Sequence, residues 1–128
     1  MTLLNRRQVV EHLLQPRGDL LVVAGLCAPA WDITAAGDHP LNFPMWGGMG
    51  GAIATGLGLA LAQPTKRVLV STGDGELFMG LNSLATIVVS QHTNLAIVVL
   101  ANKVDGHTVK KKPHTGFDMT DATDASQG

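Results

Sequence analysis

Apolar residues in the N-terminal part of the chain change from helical spacing to continuous runs. Four of them recur at helical intervals: Val9, Val10, Leu13 and Leu14. With Asn5 as the candidate cap and a break at residues 16–18, they predict an amphipathic first helix. Leu20–Ala24 is a short apolar run before Gly25, which is typical of a parallel strand buried on both faces. Between Cys27 and Met45, one glycine and three prolines predict an irregular loop that serves function or faces a partner.

The second half of the chain repeats the alternation of helix and strand. Gly50–Ala62 combines small residues with leucines and predicts a closely packed helix, while Arg67–Thr72 and Leu95–Leu100 are further strand-like runs. Between these runs, residues 81–88 have helical spacing. This order predicts an α/β fold, a parallel sheet flanked by helices with right-handed crossovers. The polar segment Lys103–Gly128 predicts a poorly ordered tail and a fold that is truncated at its C-terminus.

Composition narrows the class of protein. A chain of 128 residues fits one domain, over residues 1–128, and 45% hydrophobic residues with a net charge of -1 argue against disorder and against a nucleic-acid binder. One cysteine excludes an internal disulfide framework and suits a reducing compartment, so we predict a cytoplasmic protein. The uncharged residues 50–62 are fewer than the roughly 20 that cross a bilayer, which argues against membrane insertion.

Two predicted strands end in polar residues that can bind a cation. Gly73, Asp74 and Gly75 follow one strand, and Asn102 follows the next. The 26 residues between the motif and Asn102, 76–101, suit one helix and a returning strand, which brings both strand ends to one edge of the sheet. A carboxylate, an amide oxygen and a backbone carbonyl suit Mg²⁺ when phosphate and water complete its shell. The flanking glycines let a phosphate approach backbone N–H groups.

Other interpretations of these motifs remain open. Asp74 and Gly75 are also typical of a simple turn between strands, although the helical spacing that follows and the placement of Asn102 favour a site. A phosphate-binding module for some other ligand is a further alternative. No GxxxxGK[ST] loop is present, the glycines at 47–58 do not form a GxGxxG motif, and the histidines lack HExxH spacing. Nucleotide folds and a histidine-based metal centre are therefore disfavoured.

The motif Gly-Asp-Gly, 26 residues and Asn102 resembles the cofactor motif of thiamine-diphosphate-dependent enzymes. The Gly47–Gly50 segment resembles the part of these enzymes that meets the aminopyrimidine ring. Residues 42–116 are most similar to the diphosphate-binding half of sulfopyruvate and phosphonopyruvate decarboxylases, particularly the small β subunit of the former. The resemblance implies a lyase that decarboxylates a small 2-oxoacid with thiamine diphosphate and Mg²⁺.

The resemblance also implies roles for individual residues. Those assigned to the cofactor are Gly47, Met49, Gly73, Asp74, Gly75, Glu76 and Asn102. Asp74 and Asn102 would hold Mg²⁺ with the carbonyl of Val104, and Gly75 and Glu76 would offer backbone N–H groups to the diphosphate.

On the pyrimidine side, the carbonyl of Gly47 would accept a hydrogen bond from the amino group, and Met49 would support the bent cofactor. His114, in a His-Thr-Gly stretch, would be a catalytic or substrate-contacting residue, with an exposed loop histidine as the alternative.

A partner is implied as well, because these enzymes use a Glu from a pyrimidine-binding domain that does not fit in this length. The resemblance therefore implies an oligomer with a separate α subunit. The segment Trp31–Trp46, with Phe43, is either part of that contact or a packed surface loop. Ala101 and Lys103 depart from the family's pattern beside Asn102, and they keep open a second function, a non-catalytic scaffold or regulatory fragment.

Overall fold

The computed structural model describes residues 5–91 and 93–101. Its strands are β1 (Leu21–Ala24), β2 (Asn42–Pro44), β3 (Val68–Gly73) and β4 (Leu95–Leu100). They form one four-stranded sheet in the order β2-β1-β3-β4, and every neighbouring pair is parallel. The helices are α1 (Arg6–Leu14), α2 (Ala28–Ala35), α3 (Ala52–Ala62), α4 (Asp74–Met79) and α5 (Asn82–Ser90). The predicted α/β class, with a parallel sheet flanked by helices, is confirmed.

Both faces of β1 are covered by helices. Val22 belongs to a buried cluster with Val10 of α1 and Ile33 of α2. Val23 belongs to a second cluster with residues of α3 and α4. Because successive side chains of a strand point to opposite faces, α1 and α2 cover one face of the sheet while α3 and α4 cover the other. The continuous apolar run therefore predicted correctly that β1 is a parallel strand buried on both faces.

Local signals account for the start of α1 as predicted. The side-chain oxygen of Asn5 accepts hydrogen bonds from the backbone N–H groups of Arg7, at 3.0 Å, and Gln8, at 3.4 Å. This is the geometry of an N-terminal cap, which satisfies donors that have no partner within the helix. None of the helices in the described part of the chain is long and apolar enough to cross a membrane.

The prediction of an irregular loop from Cys27 to Met45 was wrong. This segment contains α2 and the edge strand β2. Pro29 lies in the first turn of α2, where a backbone N–H has no acceptor within the helix, so a proline there costs no hydrogen bond. Pro44 ends β2, a three-residue strand at the edge of the sheet, where proline is tolerated. Prolines therefore mark the boundaries of these elements and do not prevent them from forming. The predicted tail, residues 103–128, lies outside the described residues.

A buried ion pair joins α1 to α2. The carboxylate of Asp32, on α2, is fully buried and contacts the guanidinium of Arg6 and, at 3.6 Å, the Nε of Arg7. An unpaired carboxylate at this depth would lose its hydration without compensation. The two arginines therefore hold α1 against α2, on the side of the sheet opposite α3.

Two glycines in α3 differ in what surrounds them. A Cβ on Gly56 would overlap Val70 Cγ2 of β3, whereas a Cβ on Gly58 would meet nothing within 4 Å. Gly56 is buried and Gly58 is exposed. The helix therefore approaches the sheet as closely as it does because Gly56 has no side chain.

We predict opposite effects for the two substitutions to alanine. Gly56→Ala should lower the free energy of unfolding by about 1–3 kcal/mol, because the methyl group overpacks the interface with β3. Gly58→Ala should raise it by about 0.5–1 kcal/mol, because alanine restricts the unfolded chain at an open helical position. Urea unfolding followed by circular dichroism measures both. Equal stabilities of the two variants would contradict the close approach at Gly56.

Candidate functional site

The predicted Gly-Asp-Gly motif lies at the carboxyl end of the central strand β3. Helix α4 begins at Asp74, immediately after Gly73 ends β3, so the motif is a strand-to-helix junction and not a hairpin turn. Gly73 is paired with Leu100, the last residue of β4. The carboxyl ends of both strands therefore meet at one edge, as predicted, and Asp74 stands there with 7% of its surface exposed.

The glycine-rich segment before α3 reaches the same edge. A Cβ on Gly75 would lie 3.7 Å from Cε of Met49, so the Met49 side chain lies against the first turn of α4. Gly50 has a φ of 92° and packs on the other end of the same helix, where a Cβ on Gly80 would overlap the Gly50 carbonyl oxygen. The structure thus brings together two segments that are 26 residues apart in sequence, counted from Met49 to Gly75.

The side chain of Glu76 lies beneath this edge and is 5% exposed. Its Oε2 accepts hydrogen bonds from the Leu26 N–H, at 3.1 Å, and from the Thr72 hydroxyl, at 3.2 Å. Its Oε1 accepts one from the Ala52 N–H at 3.3 Å. A Cβ on Gly25 would overlap Oε2, so the carboxylate needs a glycine at this position. Sequence reasoning considered only the backbone of Glu76 and missed its side chain.

Burial raises the pKa of the Glu76 carboxyl group above its usual value, while its hydrogen bonds act in the opposite direction. Burial has the larger effect because the carboxylate is removed from water. The signal that could have suggested this role is Thr72, a hydroxyl four residues earlier within an apolar strand. The contribution of Gly25, 51 residues away in sequence, has no local signal.

There is open space above the backbone of both segments. A Cβ on Gly73 or on Gly47 would meet nothing within 4 Å. A group that needs to approach the backbone closely, such as a phosphate, therefore fits beside Asp74. Within residues 5–91 and 93–101, no three His, Cys, Asp or Glu side chains are grouped to hold a metal ion. A cation at Asp74 would need other oxygen ligands, and phosphate and water are the ones that Mg²⁺ commonly keeps.

Three predicted site residues, Asn102, Val104 and His114, lie outside the described residues. The aromatic residues of the segment before the site are described. Trp31 and Trp46 are in edge-to-face contact, with ring centroids 5.0 Å apart, and they are 60% and 54% exposed. Phe43, on β2, is 57% exposed. These three side chains are more exposed than the aromatic side chains of a packed surface loop would be.

Comparison with known families gives one match that covers most of the chain. Residues 27–127 match the model of the thiamine pyrophosphate enzyme, C-terminal TPP binding domain. The chain is 39% identical over 101 residues to sulfopyruvate decarboxylase subunit beta of Methanothermobacter thermautotrophicus. The aligned region covers 79% of the chain and 54% of that protein. It is 35% identical over 112 residues to the subunit of the same name from Methanocaldococcus jannaschii, covering 87% and 59%.

A third relative is the phosphonopyruvate decarboxylase of Streptomyces viridochromogenes, which is 38% identical over 105 residues, or 80% of the chain and 26% of that protein. The chain thus matches little more than half the length of the two beta subunits and about a quarter of this longer relative.

Among solved structures, benzoylformate decarboxylase from Polynucleobacter necessarius shares the fold, with a TM-score of 0.82 at 18% identity. The likeness covers 98% of this chain and 27% of that one. The strand-to-helix junction at Asp74, the segment at Met49 packed against it and the family match over residues 27–127 lead to one assignment. The chain belongs to the thiamine pyrophosphate enzymes, as a C-terminal TPP binding domain.

Proposed function

We propose that this chain is the subunit of a 2-oxoacid decarboxylase that binds thiamine diphosphate and Mg²⁺, of the sulfopyruvate or phosphonopyruvate type. The observation that carries the proposal is the contact between Met49 and Gly75 beside the buried Asp74. It joins the segment proposed to meet the pyrimidine to the segment proposed to hold the diphosphate. The names of the relatives support the reaction type and the small anionic 2-oxoacid.

The proposed metal site combines Asp74 with Asn102 and the carbonyl of Val104. The pairing of Gly73 with Leu100 supports it, because the chain leaves β4 beside Asp74 two residues before Asn102. One carboxylate and two neutral oxygens would leave the remaining positions around Mg²⁺ to phosphate oxygens and water, the ligands that this ion commonly keeps. The ion would then neutralise the diphosphate and fix it to the end of β3.

The proposed cofactor contacts follow the two segments. The open backbone at Gly73 and the N–H groups of Gly75 and Glu76 would bind the diphosphate. The carbonyl of Gly47 would accept a hydrogen bond from the pyrimidine amino group, with Met49 supporting the bent cofactor between the two. Thiamine diphosphate, when bound, stabilises the carbanion that decarboxylation produces. The role proposed for the residues of this chain is therefore to bind the cofactor and to orient it.

Proton handling at the pyrimidine is assigned to a separate α subunit that supplies a Glu. The name subunit beta, carried by the relatives from M. thermautotrophicus and M. jannaschii, supports a partner of this kind. His114 stays proposed as a residue near the substrate. The single cysteine supports a cytoplasmic location.

A non-catalytic scaffold of the same fold is the second candidate, and the observation that favours it is Ala101 and Lys103 on either side of Asn102. A lysine beside the proposed cation would weaken its binding by like-charge repulsion. Decarboxylase assays of the chain with its co-expressed partner separate the two candidates, since turnover is incompatible with a silent scaffold.

We predict that thiamine diphosphate with Mg²⁺ raises the melting temperature of the chain or of its complex with the α subunit. A ligand at 100 times its Kd should stabilise the folded state by about 2.7 kcal/mol. Asp74→Ala should abolish the shift, because the cation loses its one charged protein ligand in the proposed site. Differential scanning fluorimetry measures it.

Asp19→Ala is the matched control. Asp19 is an exposed carboxylate that precedes β1, at the amino end of the sheet, where it pairs with Lys66 at 2.9 Å. This variant should keep the full shift. Equal shifts in wild type and Asp74→Ala would contradict the metal site.

We also predict that Trp31 contributes to binding of the α subunit. Exposed, paired tryptophans are typical of the residues that dominate the energy of an interface. Trp31→Ser should weaken the complex about 30-fold, the effect of roughly 2 kcal/mol. Val89→Ser, at a side chain 83% exposed on α5, should not. Titration calorimetry with the purified α subunit measures both, and equal affinities would argue against this surface.

A further inference from the structure

The carboxylate of Glu76 connects parts of the chain that are far apart in sequence. Leu26 follows β1, Ala52 begins α3 and Thr72 lies in β3, and each donates a hydrogen bond to it. The nearby backbone of Gly50 also acts to lower the pKa of this carboxyl group. None of these three donors belongs to α4, the helix that carries Glu76, so the carboxylate links α4 to three other segments of the chain.

Burying a carboxylate costs free energy unless hydrogen bonds replace its hydration. Glu76 is 5% exposed and lies against the backbone at Gly25, where a side chain would overlap it. An apolar residue would fill this space without that cost. The carboxylate adds directionality, because each of its hydrogen bonds holds one donor, the Leu26 N–H, the Ala52 N–H or the Thr72 hydroxyl, at one place.

The backbone groups that it fixes adjoin both halves of the proposed cofactor site. Ala52 lies three residues after Met49, and Glu76 itself lies two residues after Asp74 in the first turn of α4. Two further contacts between these halves, Met49 on Gly75 and Gly50 on Gly80, are van der Waals contacts. Such contacts set a minimum distance, whereas the hydrogen bonds of Glu76 also set a maximum.

We propose that Glu76 is a positioning residue whose carboxylate fixes residues 50–52 against α4, and so holds the pyrimidine segment at a set distance from the diphosphate segment. This inference rests on the proposed function above. Glu76 acts through the backbone and does not touch the cofactor with its side chain.

The turn after β1 is restrained in the same way. Leu26 donates to Oε2, and the next residue, Cys27, has a φ of 65°, a conformation that non-glycine residues rarely adopt. A backbone of this kind persists where surrounding contacts determine it, at a cost of the order of 1 kcal/mol. The bond to Glu76 is one such contact.

A carboxylate suits this place better than an amide. Both of its oxygens accept, and both face donors. A glutamine has the same shape, but its NH₂ group would face an N–H donor on one side. Glu76→Gln therefore removes part of the hydrogen bonding while keeping the volume.

The test compares Glu76→Gln with Asp32→Asn in the full chain. Asp32 is also a buried carboxylate, but it joins α1 to α2 on the other face of the sheet. In the chain without cofactor, Glu76→Gln should speed amide hydrogen exchange at residues 26 and 50–52 and leave that of β4 unchanged. With Mg²⁺ present, it should raise the Kd of thiamine diphosphate about tenfold, the effect of losing one hydrogen bond to a charged group.

Asp32→Asn should lower the melting temperature but change neither of these quantities. A pair of further variants separates packing from positioning. The double variant Gly25→Ala, Glu76→Ala places a methyl group where the carboxylate lay, so it should recover part of the stability lost in Glu76→Ala. It should not recover the affinity, because a methyl group accepts no hydrogen bond.

Unchanged exchange at residues 50–52 in Glu76→Gln would overturn the inference, as would an equal rise in Kd for Asp32→Asn. If Glu76→Gln does not fold, Thr72→Val removes one hydrogen bond to the carboxylate and should give a smaller change in the same direction. Wild-type chain that binds no thiamine diphosphate, alone or with its partner, would refute the proposed function. The hydrogen-exchange experiment needs no cofactor. It therefore tests whether Glu76 restrains residues 50–52 independently of the proposed function.

Discussion

The hydrogen bonding of the buried Glu76 carboxylate is the constraint on which the carboxyl edge of the sheet depends. A charged group at this depth is compatible with folding only while donors surround it, and its donors are the Leu26 and Ala52 N–H groups and the Thr72 hydroxyl. If a segment that carries one of these donors moved away, the buried carboxylate would lose a hydrogen bond that water could not replace. Glu76 holds this edge together from the interior of the protein, whereas the space beside the backbone at Gly47 and Gly73 is open.

Close backbone approach accounts for four of the 15 glycines of the chain. Gly25 makes room for the carboxylate, Gly56 brings α3 against Val70, and Gly50 and Gly80 bring the segment before α3 against the end of α4. Each contact is between the main chain of one element and a different element, so a methyl group would separate the two. The positions of α3 and α4 relative to β3, and hence the geometry of the site, depend on these absences of side chains.

The sequence predicted the elements whose signals are local. The apolar runs of β1, β3 and β4 and the cap at Asn5 were interpreted correctly because burial on both faces and capping leave a pattern within a few residues. The segment from Cys27 to Met45 was misjudged because proline was treated as a breaker wherever it stood, whereas Pro29 and Pro44 occupy tolerated positions. The Glu76 side chain was missed because its burial depends on Gly25, which is far away in sequence. The position of Asp74 at the carboxyl end of β3 was predicted correctly because a glycine-flanked acid after an apolar run is a local signal.

The exposed aromatic residues lie next to the candidate site. Trp46 immediately precedes Gly47, and its ring packs against Trp31 of α2. The backbone that leads from this aromatic pair to Gly50 also carries the proposed pyrimidine contacts, and Glu76 holds it two residues further on, at the Ala52 N–H. A partner that buried the pair would therefore restrain this segment from its other end. On this argument the cofactor and the α subunit should bind cooperatively, because each would reduce the conformational freedom that the other must restrict.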